Sequence, residues 1–262
     1  MLSFIKSLVK NLTYFLPIKL EQQKITLAYI YFDNPRTLEK IIFLLSKFDL
    51  NLKKHFEIVI VDDCSKKYPA KDVLNRLIAP DSDLDIDLYR IVDDIFWNVS
   101  GARNLSVAKA KYDWVLMLDM DLIIDEENFK KILNIKKRPR KHYFPKRISK
   151  ESLEIKSHPA AMLISKHDFW TVGGYDEDFA GHYGNDPIFK KNLRKISKPI
   201  FLKNIYLIDN RGFKDSESSI KYKKFFKEID EPHELKIKRN STPYKSQKPF
   251  RFSFKRVTLK QK

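Results

Sequence analysis

The feature that most constrains this chain is a repeated change of hydrophobic period between residues 25 and 119. Residues 25–32 (ITLAYIYF), 56–61 (FEIVIV) and 114–118 (WVLML) are short apolar runs, as strands buried on both faces require, and 87–92 is expected as a further strand. Between them the period lengthens. Leu38, Ile41, Ile42, Leu45 and Phe48 form a helical stripe behind Pro35, a residue suited to the first turn of a helix. Val73, Leu74 and Leu77 predict a short helix, and residues 98–111 a longer one. Strands that alternate with helices predict an α/β fold: a mostly parallel sheet with helices on both faces.

Past residue 136 the regularity falls. A strand is expected over 160–165, a short helix over 168–172, then a Gly-rich loop, a helix over 187–196 and a strand over 200–208. The expected division is a segment 1–20, an α/β domain 21–231 and a basic extension 232–262 of little periodicity. Within the first segment, Leu2, Phe4, Ile5, Leu8, Val9, Leu12, Phe15 and Leu16 share one helical face before Pro17 stops the helix. Lys6 and Lys10 break the apolar run, which argues against a signal peptide or a spanning helix. Two readings of this helix stand side by side: an interfacial anchor with its lysines near lipid phosphates, or a helix docked on the protein's own body.

Composition narrows the function classes. Hydrophobic types are 43% of the 262 residues, enough for one substantial core, and the 13% aromatic share argues against disorder. The single cysteine, Cys64, excludes an internal disulfide and a Cys-rich zinc site and fits a reducing, cytoplasmic setting. A formal net charge of +17 points to anionic partners, such as a membrane surface holding the chain peripherally. Residues 235–262 carry ten Lys/Arg and no Asp/Glu, and 136–150 is a second basic run. A solvated Lys-rich surface is the plain alternative for both.

In open α/β sheets ligands bind outside the carboxyl ends of the strands. Two acidic clusters fall there: Asp62-Asp63 after one apolar run, and Asp119-Met120-Asp121 after another. A lone carboxylate in such a place is often a turn former or helix cap. An Asp-x-Asp triplet leaving a buried strand suits a hard divalent cation, which takes one or two carboxylates together with substrate phosphates.

Four segments carry a resemblance: ITLAYIYFDNPRTLEKII, EIVIVDDCS, NVSGARNLSVAKAKYDWVLMLDMDLII and AAMLISKHDFWTVGGYDEDFAGHYGNDPIF. In this order and spacing they resemble the family 2-like GT-A glycosyltransferases, and the last also resembles the C-terminal motif of galactosyltransferase-type enzymes. The resemblance spans roughly residues 25–208. It implies a GT-A, Rossmann-like sheet and transfer of a sugar from a nucleotide-sugar donor, UDP-linked by expectation, to a hydroxyl of a glycan or glycolipid. It also implies Mn2+ or Mg2+ as cofactor and an inverting outcome. By position, Tyr31 and Phe32 would line the nucleotide pocket, Asp62 or Asp63 would bond the base or ribose, and Arg103 would approach the nucleotide or diphosphate. Asp119 and Asp121 would hold the ribose and the metal, with Asp209 a further metal ligand in place of the histidine common in related enzymes. On the acceptor side the resemblance implies Gly174, Tyr175, Asp176, Asp178, His182, Tyr183 and Asn185 as contacts and Asp186 as the general base. Asn185 departs from the family's Glu-Asp pair, and asparagine accepts hydrogen bonds but takes no proton. Asp186 can equally cap the helix that enters at Pro187.

Two other readings compete. A nucleotidyltransferase would carry a Gly-rich phosphate loop early in the chain, which residues 31–34 lack. A non-catalytic membrane- or polyanion-binding protein would use the basic ends but leave the acidic motifs idle. Nucleic acid is not an expected partner.

Overall fold

The computed structural model describes residues 24–79, 82–149, 152–181, 184–210 and 249–259. The predicted helix of 1–20 and its membrane role, His182 and Tyr183, and most of the basic extension lie outside these residues.

Strands β1 (Ile25–Tyr31), β2 (Phe56–Asp63), β3 (Ile86–Ile91) and β4 (Trp114–Asp119) form where the sequence predicts strands. Helices α1 (Pro35–Ser46), α2 (Leu50–Lys53), α3 (Ala70–Leu77) and α4 (Val99–Lys109) connect them. The chain continues through β5 (Leu122–Ile123), α5 (Glu126–Leu133), β6 (Lys141–Ser149), β7 (Ile155–Ser157), β8 (Met162–Ser165), α6 (Lys166–Thr171), α7 (Asn185–Leu193), β9 (Lys198–Asp209) and β10 (Phe254–Val257). A 3-10 turn occupies Glu177–Phe179.

The sheet runs β10-β3-β2-β1-β4-β8-β6-β9-β5, with β7 paired to β6. Only its first half matches the parallel expectation. β3, β2, β1 and β4 are parallel neighbours, and the second half is mixed, with β8 antiparallel to both β4 and β6 and β9 parallel to β6. The parallel strands are buried on both faces, and their side chains alternate between two cores. Leu27, Tyr29, Ile58, Ile60, Leu116 and Leu118 pack with α1, α3 and α5. Val59, Val61 and Ile91 pack with Ala102 and Leu105 of α4, and Ala28, Val115 and Met117 pack with α6 and α7 residues Phe169 and Phe189.

Four strands were hidden in the sequence: the two- and three-residue β5 and β7, and the longer β6 and β10. β6 lies inside the basic run 136–150, yet His142, Tyr143 and Phe144 are buried. Pro145, which has no N–H for a ladder, coincides with the register shift between Phe144 and Lys146, and that break erases the alternation that marks a strand. β10 lies in the basic extension and pairs antiparallel with β3. Its four residues are too few to show a period.

Candidate functional site

The carboxyl ends of β1, β2 and β4 converge, and each carries side chains of the candidate site. Tyr31 is fully buried and donates its hydroxyl to the Tyr68 carbonyl at 2.5 Å, so its ring lies in the core; Phe32, one residue on, is 47% exposed. Asp62 accepts from the N–H groups of Ser65 (2.8 Å) and Ala70 (2.9 Å) and from Arg90 Nη1 (2.9 Å). Its carboxylate shapes the turn into α3. Asp63 is different. Its Oδ2 accepts from Asn98 N–H at 3.1 Å, while Oδ1 is buried and has no hydrogen-bond partner among the described residues. Burial pushes the Asp63 carboxyl up from 3.8 to about 7, the Asn98 N–H opposing and Asp62 and Asp94 assisting. A buried oxygen without a partner is costly unless a ligand completes it.

Arg103 occupies the centre. Asn98 caps α4 by accepting from Gly101 N–H at 3.2 Å, and Arg103 projects from the first turns of that helix. Its fork spans two acids: Nη1 donates to Asp186 Oδ1 at 2.7 Å and Nη2 to Asp119 Oδ1 at 3.0 Å. The guanidinium also lies over the Tyr175 ring, 4.9 Å from its centroid. Burial works against the charge, but the Asp186 and Asp119 carboxylates outweigh it and raise the Arg103 pKa. A planar fork that takes one acid from each side of the site is a geometry lysine does not reproduce.

Asp119 ends β4, and Asp121 lies just past the turn. They meet a residue the sequence reading missed. One ligand atom from each of Asp119, Asp121 and His158 falls within 4.8 Å of the others. His158 arrives through the β6–β7 pairing, from a segment without a motif, so no sequence signal announced it. Its Nδ1 accepts from the N–H groups of Ala160 (3.1 Å) and Ala161 (3.0 Å). Burial lowers its pKa, the Asp119 carboxylate opposing. A neutral ring with an accepting Nδ1 carries its proton on Nε2, which faces Asp119 Oδ2 at 3.7 Å. The donor set is therefore two carboxylates suited to a hard cation, with an imidazole N–H turned toward them. His158 could ligate a metal through Nε2 only by releasing its two backbone donors. Asp209 ends β9, pairs with Leu122 and accepts from Arg147 Nη1 at 3.1 Å.

On the opposite side, Gly184 caps α7 at φ 113°, so Asp186 lies in the first turn and is not the cap. Its Oδ1 accepts from both Arg103 and the Tyr175 hydroxyl (3.0 Å). Its Oδ2 accepts no hydrogen bond among the described residues, and the side chain is 18% exposed. Tyr175 stacks on Phe189 at 4.2 Å and is held at both backbone groups by Asn104, which accepts from its N–H (2.8 Å) and donates to its carbonyl (2.9 Å). Gly174 precedes it at φ +70°, where a Cβ would stand 2.6 Å from Asn104 Oδ1. Asn185 braces α7 against α4 by donating to Ser100 Oγ at 3.1 Å and accepting from Asp186 N–H. Asp176 caps the 3-10 turn by accepting from Asp178 N–H, and Asp178 pairs with Arg251 at 2.6 Å.

The fold has counterparts among solved structures. The mannosyltransferase PcManGT from Pyrobaculum calidifontis, solved with GDP-Man and Mn2+, superposes with a TM-score of 0.62 at 11% identity, over 86% of this chain and 67% of that one. S. aureus TarS 1-349, solved with UDP, superposes with a TM-score of 0.60 at 14% identity, over 83% of this chain and 72% of that one. TarS 1-349 solved with UDP-GlcNAc gives 0.59 at 15% identity, over 75% of this chain and 61% of that one. No curated protein sequence matches the chain. The profile of Glycosyl transferase family 2 matches residues 31–198, a span that runs from the last residue of β1 through α7 and holds the Asp-x-Asp triplet and Asp186, and the chain belongs to that family.

Proposed function

We propose that this glycosyltransferase is a metal-dependent inverting enzyme, which takes its sugar from a nucleoside diphosphate sugar, UDP-linked by preference, and passes it to a hydroxyl of a glycan or glycolipid. The observation that carries the reading is the Arg103 fork, which holds Asp119 at the donor end of the sheet and Asp186 on the acceptor side in one frame. The solved relatives are consistent with such a donor, since TarS was captured with UDP and PcManGT with GDP-Man.

In this reading Asp63 Oδ1 and the ends of β1 and β2 receive the nucleoside. Asp119 and Asp121 hold Mn2+ or Mg2+, and His158 turns its Nε2–H toward their carboxylates as an outer partner. When bound, the cation neutralises charge on the leaving diphosphate. Asp186 Oδ2 takes the proton of the acceptor hydroxyl, while Oδ1 stays fixed by Arg103 and Tyr175. The freed oxygen attacks the anomeric carbon from the face opposite the diphosphate. The bond from that carbon to the phosphate oxygen breaks, its electron pair leaves with the nucleoside diphosphate, and the anomeric configuration inverts.

Calorimetric titration of UDP, with Mn2+ and then with EDTA, tests the donor site in wild type and in Asp121→Ala. Binding that needs the cation and is weakened at least about tenfold in the variant is expected. Equal binding with EDTA would remove the metal from the proposal. Absence of binding by both UDP and GDP would overturn the donor assignment.

A further inference from the structure

Two acids of the 173–179 turn, Glu177 and Asp178, would be free to meet an acceptor if the turn stood alone. Instead both are engaged by a segment more than seventy residues away in sequence. Glu177 is buried and its carboxylate takes three N–H groups: Asn104 Nδ2 at 2.9 Å and Phe250 N–H at 3.1 Å on Oε1, and Arg251 N–H at 3.1 Å on Oε2. Asp178 Oδ1 accepts from Arg251 Nη2 at 2.6 Å. Hydrogen bonds to an ionised carboxylate are the strong kind, and here three converge on a buried one.

The segment that supplies these donors is anchored independently. β10 adds to the sheet edge beside β3. Phe250, Phe252 and Phe254 pack edge to face, and Phe252 fills the space that Gly101 leaves open on α4, where a Cβ would collide with its ring. Phe250 also meets Trp170 of α6. From Glu177 the connection runs on through Asn104, which holds both backbone groups of Tyr175, whose hydroxyl in turn donates to Asp186.

We infer that Glu177 and Arg251 are positioning residues, through which the segment 249–259 sets the acceptor half of the site and the orientation of Asp186. The inference rests on the proposed role of Asp186 as base. Neither residue need touch substrate: each fixes the turn that carries Tyr175.

The test compares the full chain with Arg251→Ala, Arg251→Lys and Glu177→Gln. Amide hydrogen exchange, UDP binding with Mn2+, and hydrolysis of UDP-hexoses with water as the acceptor are measured on each. In Arg251→Ala and Glu177→Gln, amides of residues 174–179 are expected to exchange about tenfold faster while those of β1 and β4 keep their rates. Hydrolysis is expected to fall about tenfold in kcat with UDP affinity within about twofold, and Arg251→Lys to recover part of the loss. Unchanged exchange at 174–179 in both variants would overturn the inference. So would equal acceleration of β1, β4 and the turn, since that marks a general loss of stability. Failure of wild type to bind UDP would sink the donor reading instead, and the exchange comparison would still decide the coupling.

Discussion

At the scale of single residues, the site contains carboxylates with different tasks set by their partners. Asp62 is saturated by a turn and an arginine, and among the described residues Asp63 keeps one buried oxygen unpartnered and Asp186 keeps one oxygen open beside two donors. Asp186→Asn preserves the shape but cannot accept a proton. Transfer is expected to fall by about 10²–10⁴-fold with UDP binding retained, read by single-turnover kinetics beside calorimetry. A variant that turned over normally would move the base elsewhere. Asp63 makes a prediction in pH. Its carboxyl rises from 3.8 in the unfolded chain to about 7 in the fold, chiefly through burial. Between those values the folded state keeps a proton that the unfolded state has shed, so stability falls as pH rises from about 4 to about 7 and levels off above. Asp63→Asn has no such proton to lose. The thermal midpoint of wild type should therefore drop more than that of the variant between pH 5 and pH 7, and parallel drops would contradict the assigned burial.

At the scale of elements, the site is assembled by helix starts and tight turns. α4 presents Arg103 and Asn104 side by side, one to the acids and the other to the turn. The turn can approach α4 closely because Gly174 has no Cβ and accepts φ +70°. Gly174→Ala would force a left-handed alanine against Asn104 and Phe169. A loss of roughly 1–3 kcal/mol is expected, seen as a lower denaturant midpoint with an unchanged m-value. Because Asn104 also holds Tyr175, the same variant should lose turnover beyond what its stability loss explains. Unaltered stability would show that the turn relaxes away from α4.

At the scale of the molecule, the basic extension, for which the sequence left anionic partners and a solvated Lys-rich surface side by side, includes a working part of the sheet. Residues 249–259 cover Val59, Val61, Ala102 and Leu105 with Phe252 and its neighbours. Losing a buried phenylalanine costs about 3–5 kcal/mol, a large share of the roughly 5–15 kcal/mol that holds a domain together. A chain ending at residue 248 should therefore melt at least about 10 °C lower by calorimetry. A midpoint equal to wild type would show that residues 249–259 add nothing to the stability of the fold.

The sequence by itself determined the parallel half of the fold and which acids stand at its carboxyl edge. Apolar runs bounded by helical stripes admit few other arrangements, and a run that ends in an acid puts that acid where ligands bind. That reasoning reached β1 to β4, Arg103, the Asp119-Met120-Asp121 triplet and the 173–186 region. What it could not reach depends on contacts between distant segments. His158 comes to Asp119 and Asp121 by a strand pairing, β6 is masked by Pro145 and a run of basic residues, and β10 is too short to show a period. The partners of each acid were equally out of reach. Whether a carboxylate braces a turn, as Asp62 and Glu177 do, or keeps an oxygen open, as Asp63 and Asp186 do, depends on which donors the fold brings within about 3 Å. Local sequence sets periodicity because side chains repeat along one element, whereas hydrogen-bond saturation is a property of neighbours in space, and only the tertiary structure decides it.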